Sequence, residues 1–248
     1  MRRSPRTPGQ RAAPLGRVLG SFAPGNGGAA WTPAALAGFV AALLPGRAVL
    51  WQDAGKTTRA AADGDPVRVA VCPYSGAEWT APSDATRPLL YSEGGGLWSL
   101  SFDGADDTLA ATVPSTSVRT AAFAVSYGPA NWVGYPTGLS FTPSTNYALM
   151  GGDTGDNGTS NALYSTSGWS GTVLPWIAGV QTRTFRPAAT PKVVVFSQTT
   201  SIADSTTILH CSIRRSEGGR WWPGRFRSLV VTAAELSAAE RALLEAFL

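Results

Sequence analysis

The side chains with most chemical promise fall into a few short stretches. Asp103, Asp106 and Asp107 crowd one turn, and several carboxylate oxygens from one loop are what a hard cation such as calcium requires. Asp103-Gly104 is also a strong turn signal, and aspartates at such positions accept hydrogen bonds from their own backbone. Turn chemistry alone explains the three residues, so a structural hairpin is the expectation and calcium the alternative. Asp153 and Asp156 lie in a second acidic, glycine-rich loop, Asp153-Thr-Gly-Asp-Asn-Gly-Thr-Ser-Asn161. It lacks the ligand order and closing Glu of a calcium-binding helix–loop–helix, and reads as a solvated loop with the same alternative. No cofactor is otherwise called for.

Nucleophilic and hydrolytic constellations are missing. His210 adjoins Cys211, but neighbours on a strand point to opposite faces, so the two cannot form a nucleophile–base pair. His210 is expected as a buried or edge histidine. The nearest approach to a Gly-x-Ser-x-Gly elbow, Gly168-Trp-Ser-Gly171, has the wrong spacing. Phosphate-loop and dinucleotide fingerprints are absent. The chain is expected not to be an enzyme. The nine tryptophans are less ordinary. Trp132, Tyr135, Trp169, Trp176, Trp221 and Trp222 lie in or near turn-rich segments, where exposed rings would stack on sugars or anchor a protein partner. If Trp221-Trp222 is extended, one ring faces a surface.

The elements that must carry these residues are mostly strands. Charged residues make up only 15% of the 248, while Gly numbers 28 and Pro 18, a profile of short strands joined by turns. Ala48–Trp51, Pro66–Cys72, Leu97–Phe102, Ala121–Tyr127, Ala148–Met150, Ala162–Tyr164, Lys192–Ser197, Thr207–Ile213 and Phe226–Val231 read as strands of an antiparallel sandwich. Two helices flank them. Thr32 and Pro33 supply start signals for a short helix to Leu44, with Leu36, Phe39, Val40, Leu43 and Leu44 on one face. At the other end Ser237 and Glu240 have capping-box spacing, Leu236 is placed as a staple, Arg241 and Glu245 could pair, and Leu243, Leu244 and Phe247 form the apolar stripe.

Residues 1–30 are set apart by charge. They hold Arg2, Arg3, Arg6, Arg11 and Arg17 and no acid, which leaves 15 basic against 16 acidic residues, a net of −1, for residues 31–248. The isoelectric point of about 9.4 therefore describes a Pro/Gly-rich extended arm, and nucleic acid is not the expected partner of the body. Prolines and glycines interrupt any export-signal core, and no run is long enough to span a membrane. Cys72 and Cys211 either pair or remain buried thiols, with thiols favoured where export is not signalled.

Three stretches together resemble the concanavalin A-like lectin/glucanase (laminin-G-like jelly-roll) domains of phage structural and bacterial surface proteins. They are Leu50-Trp-Gln-Asp-Ala54 with Ala62-Asp-Gly-Asp-Pro-Val67; Arg87-Pro88 with Leu100-Ser-Phe-Asp-Gly-Ala-Asp-Asp-Thr-Leu109; and Gly224-Arg-Phe-Arg-Ser-Leu-Val-Val231 with Leu236-Ser-Ala-Ala-Glu-Arg241. The resemblance spans residues 48–248, although the stretch from Ala121 to Thr206 holds no matching motif. It implies an all-β antiparallel jelly-roll sandwich. Glucanases of this fold carry closely spaced carboxylates on one strand, and none of the six Glu here stands in that spacing. The expectation is a non-enzymatic virion structural protein, a capsid decoration or tail/fibre component assembled in the host cytoplasm. The arm would bind neighbouring subunits, in a homo-oligomer or against another capsid or tail protein, and the sandwich would touch surface glycans. The alternative is a free or cell-surface carbohydrate-binding module.

Overall fold

A computed structural model describes residues 31–128, 137–143, 146–151, 163–165, 175–177, 179–182, 191–212 and 221–248. The arm at residues 1–30 lies outside the described residues, as do Trp132, Tyr135, Asp153, Asp156 and Trp169.

Two antiparallel sheets form a sandwich. The first contains β1 (Phe39–Leu43), β5 (Leu89–Gly94), β6 (Leu97–Phe102), β8 (Thr120–Val125), β12 (Trp176–Ile177), β13 (Val180–Gln181), β14 (Lys192–Ser197) and β16 (Gly224–Thr232). Its order is β13-β12-β14-β8-β16-β6-β5, with β1 also pairing β16. The second contains β2 (Val49–Trp51), β3 (Val69–Val71), β4 (Glu78–Thr80), β7 (Leu109–Val118), β9 (Thr137–Thr142), β10 (Tyr147–Gly151), β11 (Leu163–Ser165) and β15 (Ala203–Cys211). Its order is β11-β10-β9-β15-β7-β4-β3-β2. From β6 to β9 the chain changes sheet at every connection, so neighbours within a sheet are mostly distant in sequence.

Strand alternation drives this arrangement. In β6, Leu100 and Phe102 point inward and are buried, while Leu97 is 50% exposed. Inward residues of both sheets meet in one core, where Phe226 packs edge-to-face on Phe102, Phe123 and Trp222 at ring separations of 5.3, 6.2 and 6.1 Å. Strand β8 is buried along its whole length because it lies between β14 and β16, and Ala-Ala-Phe-Ala-Val gives it no polar face. The two cysteines are free, buried thiols, and no helix among the described residues is long and apolar enough to cross a membrane.

The ends need correction and confirmation in turn. The helix expected from Thr32 to Leu44 is a 3₁₀ turn, Pro33–Ala35, followed by strand β1. Helical geometry ends at Leu36, whose backbone is extended, Gly38 then turns the chain at φ +63°, and Ala41, Ala42 and Leu43 pair with Val231, Val230 and Leu229 of β16. Helical spacing of apolar residues was thus overridden by pairing in the sheet. The C-terminal helix α1 (Ala238–Phe247) has its full capping box: the Ser237 hydroxyl accepts from the Glu240 N–H at 3.2 Å, and the Glu240 carboxylate accepts from the Ser237 N–H at 2.9 Å. Its buried stripe runs through Leu236, Leu244 and Leu248, whereas Leu243, expected on that stripe, is 44% exposed.

Candidate functional site

One group of described residues with functional potential lies on the outer face of the second sheet. Register fixes which side chains share that face: Thr80 lies opposite Ala110, Ala110 opposite His210, and His210 opposite Ser140. The alternate residues Trp79, Ala111, Leu209 and Cys211 point into the core and are fully buried. Outward residues Glu78, Thr80, Ala110, Thr112 and His210, with Arg68 and Pro82 at the side, line an open groove of about 870 Å³. That is within the range of small-molecule sites.

Its polar groups are arranged for binding. The His210 Nε2 and Thr142 Oγ1 lie 2.8 Å apart, which fixes the imidazole on the floor. His210 is therefore half-buried on an interior strand, not at an edge. Arg68 donates through Nη2 to the Pro82 carbonyl at 3.0 Å and sits 3.9 Å from an Asp84 oxygen. Nε is the atom that faces Asp84, too far for a hydrogen bond, and Nη1 is buried without a hydrogen-bond partner, a donor whose desolvation a further acceptor would offset. Glu78, the groove's only carboxylate among the described lining residues, is bonded to Lys56. Among the described lining residues there is thus no pair of carboxylates, and the groove presents an arginine, hydroxyls and an imidazole.

The acidic turn behaves differently. Ligand-capable oxygens of Asp103, Asp106 and Asp107 lie within 4.8 Å of one another. Asp103 Oδ1 already accepts from the N–H groups of Ala105, Asp106 and Asp107 at 2.8, 3.2 and 3.4 Å, and Asp107 Oδ2 accepts from the Asp103 N–H at 2.9 Å. Gly104 completes the turn at φ +78°. Burial, opposed by the hydrogen bond from Asp103 and reinforced by the charges of Asp103 and Asp106, pushes the Asp107 carboxyl up to about 6. These oxygens close the turn as turn chemistry predicts, but β6 and β7 lie in different sheets and do not pair, so the expected hairpin is a connection between the sheets.

The expected aromatics do not converge on the groove. Trp222 is fully buried: its Nε1 donates to the Ser126 carbonyl at 2.9 Å and its ring meets Tyr127 edge-to-face at 5.2 Å. Its proposed place among exposed rings is therefore corrected, while Trp221 beside it is half-buried, the two-sided disposition expected of extended chain. Trp176 is half-buried on the other sheet, and the Arg241 guanidinium covers its ring at 3.7 Å in place of an ion pair with Glu245. Sequence reasoning missed Arg68, Thr80 and Thr112. The one local signal was Glu78-x-Thr80, an outward polar alternation in β4; Thr112 on β7 follows the apolar Ala110, and neither strand was identified in the sequence reading.

The resemblance motifs prove to be turn-closing residues that touch one another. Asp53 accepts from the N–H groups of Thr57 and Thr58, and Asp65 from those of Ala61 and Ala62, which holds both carboxyls below the usual range. Val67 N–H donates to the Pro88 carbonyl at 2.8 Å, and Arg87 Nη1 to the Gln52 carbonyl at 2.7 Å. Gly224 of the third stretch pairs with Phe102 of the second. In comparisons with known proteins, no family model, curated protein or solved structure matches the chain.

Proposed function

We propose that this chain is a non-catalytic virion structural protein: a concanavalin A-like jelly-roll sandwich displayed on a capsid or tail, tethered to neighbouring subunits by its basic arm. The charge division carries the reading. Five arginines and no acid occupy residues 1–30, against a net of −1 over the rest, so the excess positive charge is concentrated in a sequence segment suited to binding another subunit. The jelly-roll assignment is supported by the three motif stretches, which interlock across the sandwich, and by a chain that repeatedly changes sheet. The non-catalytic assignment is supported by the carboxylates, since Asp53, Asp65, Asp103, Asp107 and Glu240 close turns or caps.

The groove over Thr80, Thr112 and His210 favours a second role, contact with glycan hydroxyls, which would also serve the rival reading, a free or cell-surface carbohydrate-binding module. A chain lacking residues 1–30, expressed during particle production, separates the two. The proposal predicts a folded sandwich, judged by tryptophan fluorescence, that no longer enters particles. Unchanged incorporation would contradict it. A carbohydrate-binding module would instead keep glycan-array binding without the arm and lose it in Arg68→Gln and Thr112→Ala.

A further inference from the structure

A second cavity arises from the way β16 changes partners. One edge of β16 pairs with β8 throughout, while the other pairs with β6 at Gly224–Phe226 and with β1 at Leu229–Thr232. Arg227 and Ser228 fall between the two and have no partner strand on that edge. The register against β8 also slips between Phe226 and Ser228, so Arg227 is the extra residue of a bulge, a feature that re-aims a side chain. The space left beside them is a cavity of about 320 Å³, bounded by Leu44, Leu97, Trp98 and Phe247 and by Arg47.

Its chemistry is unlike that of the groove. Arg227 Nε and the Ser228 hydroxyl are buried and have no hydrogen-bond partner. Such groups are uncommon in folded proteins and mark a place where a partner is required. The Arg47 guanidinium carbon lies 4.4 Å from the centroid of the Phe247 ring. Among the described residues, no carboxylate forms an ion pair with Arg47 or Arg227. Two guanidiniums without an ion pair and a hydroxyl therefore share one cavity with three leucines (Leu44, Leu97 and Leu248) and two aromatic rings.

We propose that this cavity binds small organic carboxylates with an apolar body. The carboxylate accepts from Arg227, Arg47 and the Ser228 hydroxyl, and the hydrocarbon lies against Leu44, Leu97, Trp98 and Phe247. Both halves are needed: the cations select against a neutral alcohol, and the apolar walls select against inorganic phosphate. The volume lies at the small end of the range for ligand sites, which suits a single short chain or ring.

Calorimetric titration of the full chain with hexanoate, hexanol and inorganic phosphate tests this, with Trp98 contributing a fluorescence change on binding. Saturable binding of hexanoate, at least about tenfold tighter than hexanol or phosphate, is the expected result. Arg227→Gln should weaken hexanoate about tenfold or more, the loss of one charge-assisted contact. Should Arg227→Gln not fold, Arg47→Gln decides, with a loss of about the same order. Absence of saturable hexanoate binding, hexanol binding as well as hexanoate, or unchanged affinity in the folded arginine variants would overturn the assignment.

Discussion

At the scale of single residues, two tryptophans from the same group of candidates serve different ends. Trp222 fills the core, with its indole N–H bonded to Ser126 and its ring against Tyr127 and Phe226, so Trp222→Ala leaves a cavity and removes one of two donors to the Ser126 carbonyl, the other being the Arg225 N–H at 3.3 Å. A loss of about 4 kcal/mol is expected in urea unfolding. Trp176 is half-buried under Arg241, and Trp176→Ala should cost about 1 kcal/mol. Asp107 gives a pH signature. Its folded carboxyl titrates at about 6, above the ordinary 3.8, so between those values the native state holds a proton that the unfolded state has lost. This contribution makes stability fall as pH rises from about 4 to 6, opposite in sign to Asp53 and Asp65. Asp107→Asn should flatten that part of the stability–pH curve, measured by urea midpoints at several pH values. A curve unchanged by the substitution would refute the assignment. The acidic turn was legible in the sequence because Asp-Gly and its flanking carboxylates act locally. The burial of Trp222 was not, because it depends on Tyr127 and Ser126, nearly a hundred positions away.

At the scale of elements, local signals and tertiary pairing divide the chain. The start of α1 could be read directly, since a capping box spans four residues, and Ser237→Ala should cost about 1 kcal/mol in thermal or urea unfolding. Strand β6 and strand β14 match their expected bounds because their alternation or β-branched run is self-contained. Strand β1 was misread as helix: Leu36, Phe39, Val40 and Leu43 satisfy a helical period, but Gly38 and the edge of β16 decide otherwise. The groove suffered in the same way, since β4 offers only Glu-Trp-Thr and gains its meaning from β7. A close approach of backbones sets a further prediction. A Cβ on Gly224 would lie 2.2 Å from the Ser126 carbonyl oxygen, and those two strands are joined there by Ser126 N–H to the Arg225 carbonyl at 2.9 Å. Gly224→Ala should therefore cost about 3 kcal/mol or more by forcing β16 from β8. A change below about 0.5 kcal/mol, the range of ordinary surface substitutions, would show that the strands part freely.

At the scale of the whole molecule, charge divides the sequence. Residues 31–248 carry almost no net charge and close their own core, while residues 1–30 carry the excess positive charge that gives the chain its basic character. Composition made the antiparallel sandwich legible, because short strands and frequent turns leave few other architectures. The order of strands was not legible, since β8, β14 and β16 are brought together from across the sequence. A tethered sandwich is expected to depend on the arm for assembly and on its core for folding, so deletion of residues 1–30 should separate the two. The central claim, membership of a virion, is tested most directly by density-gradient fractionation of a lysate of the source culture, with peptides of this chain quantified in each fraction. The account predicts co-banding with particles at a fixed ratio to the other particle proteins. Recovery in soluble or envelope fractions alone would contradict it.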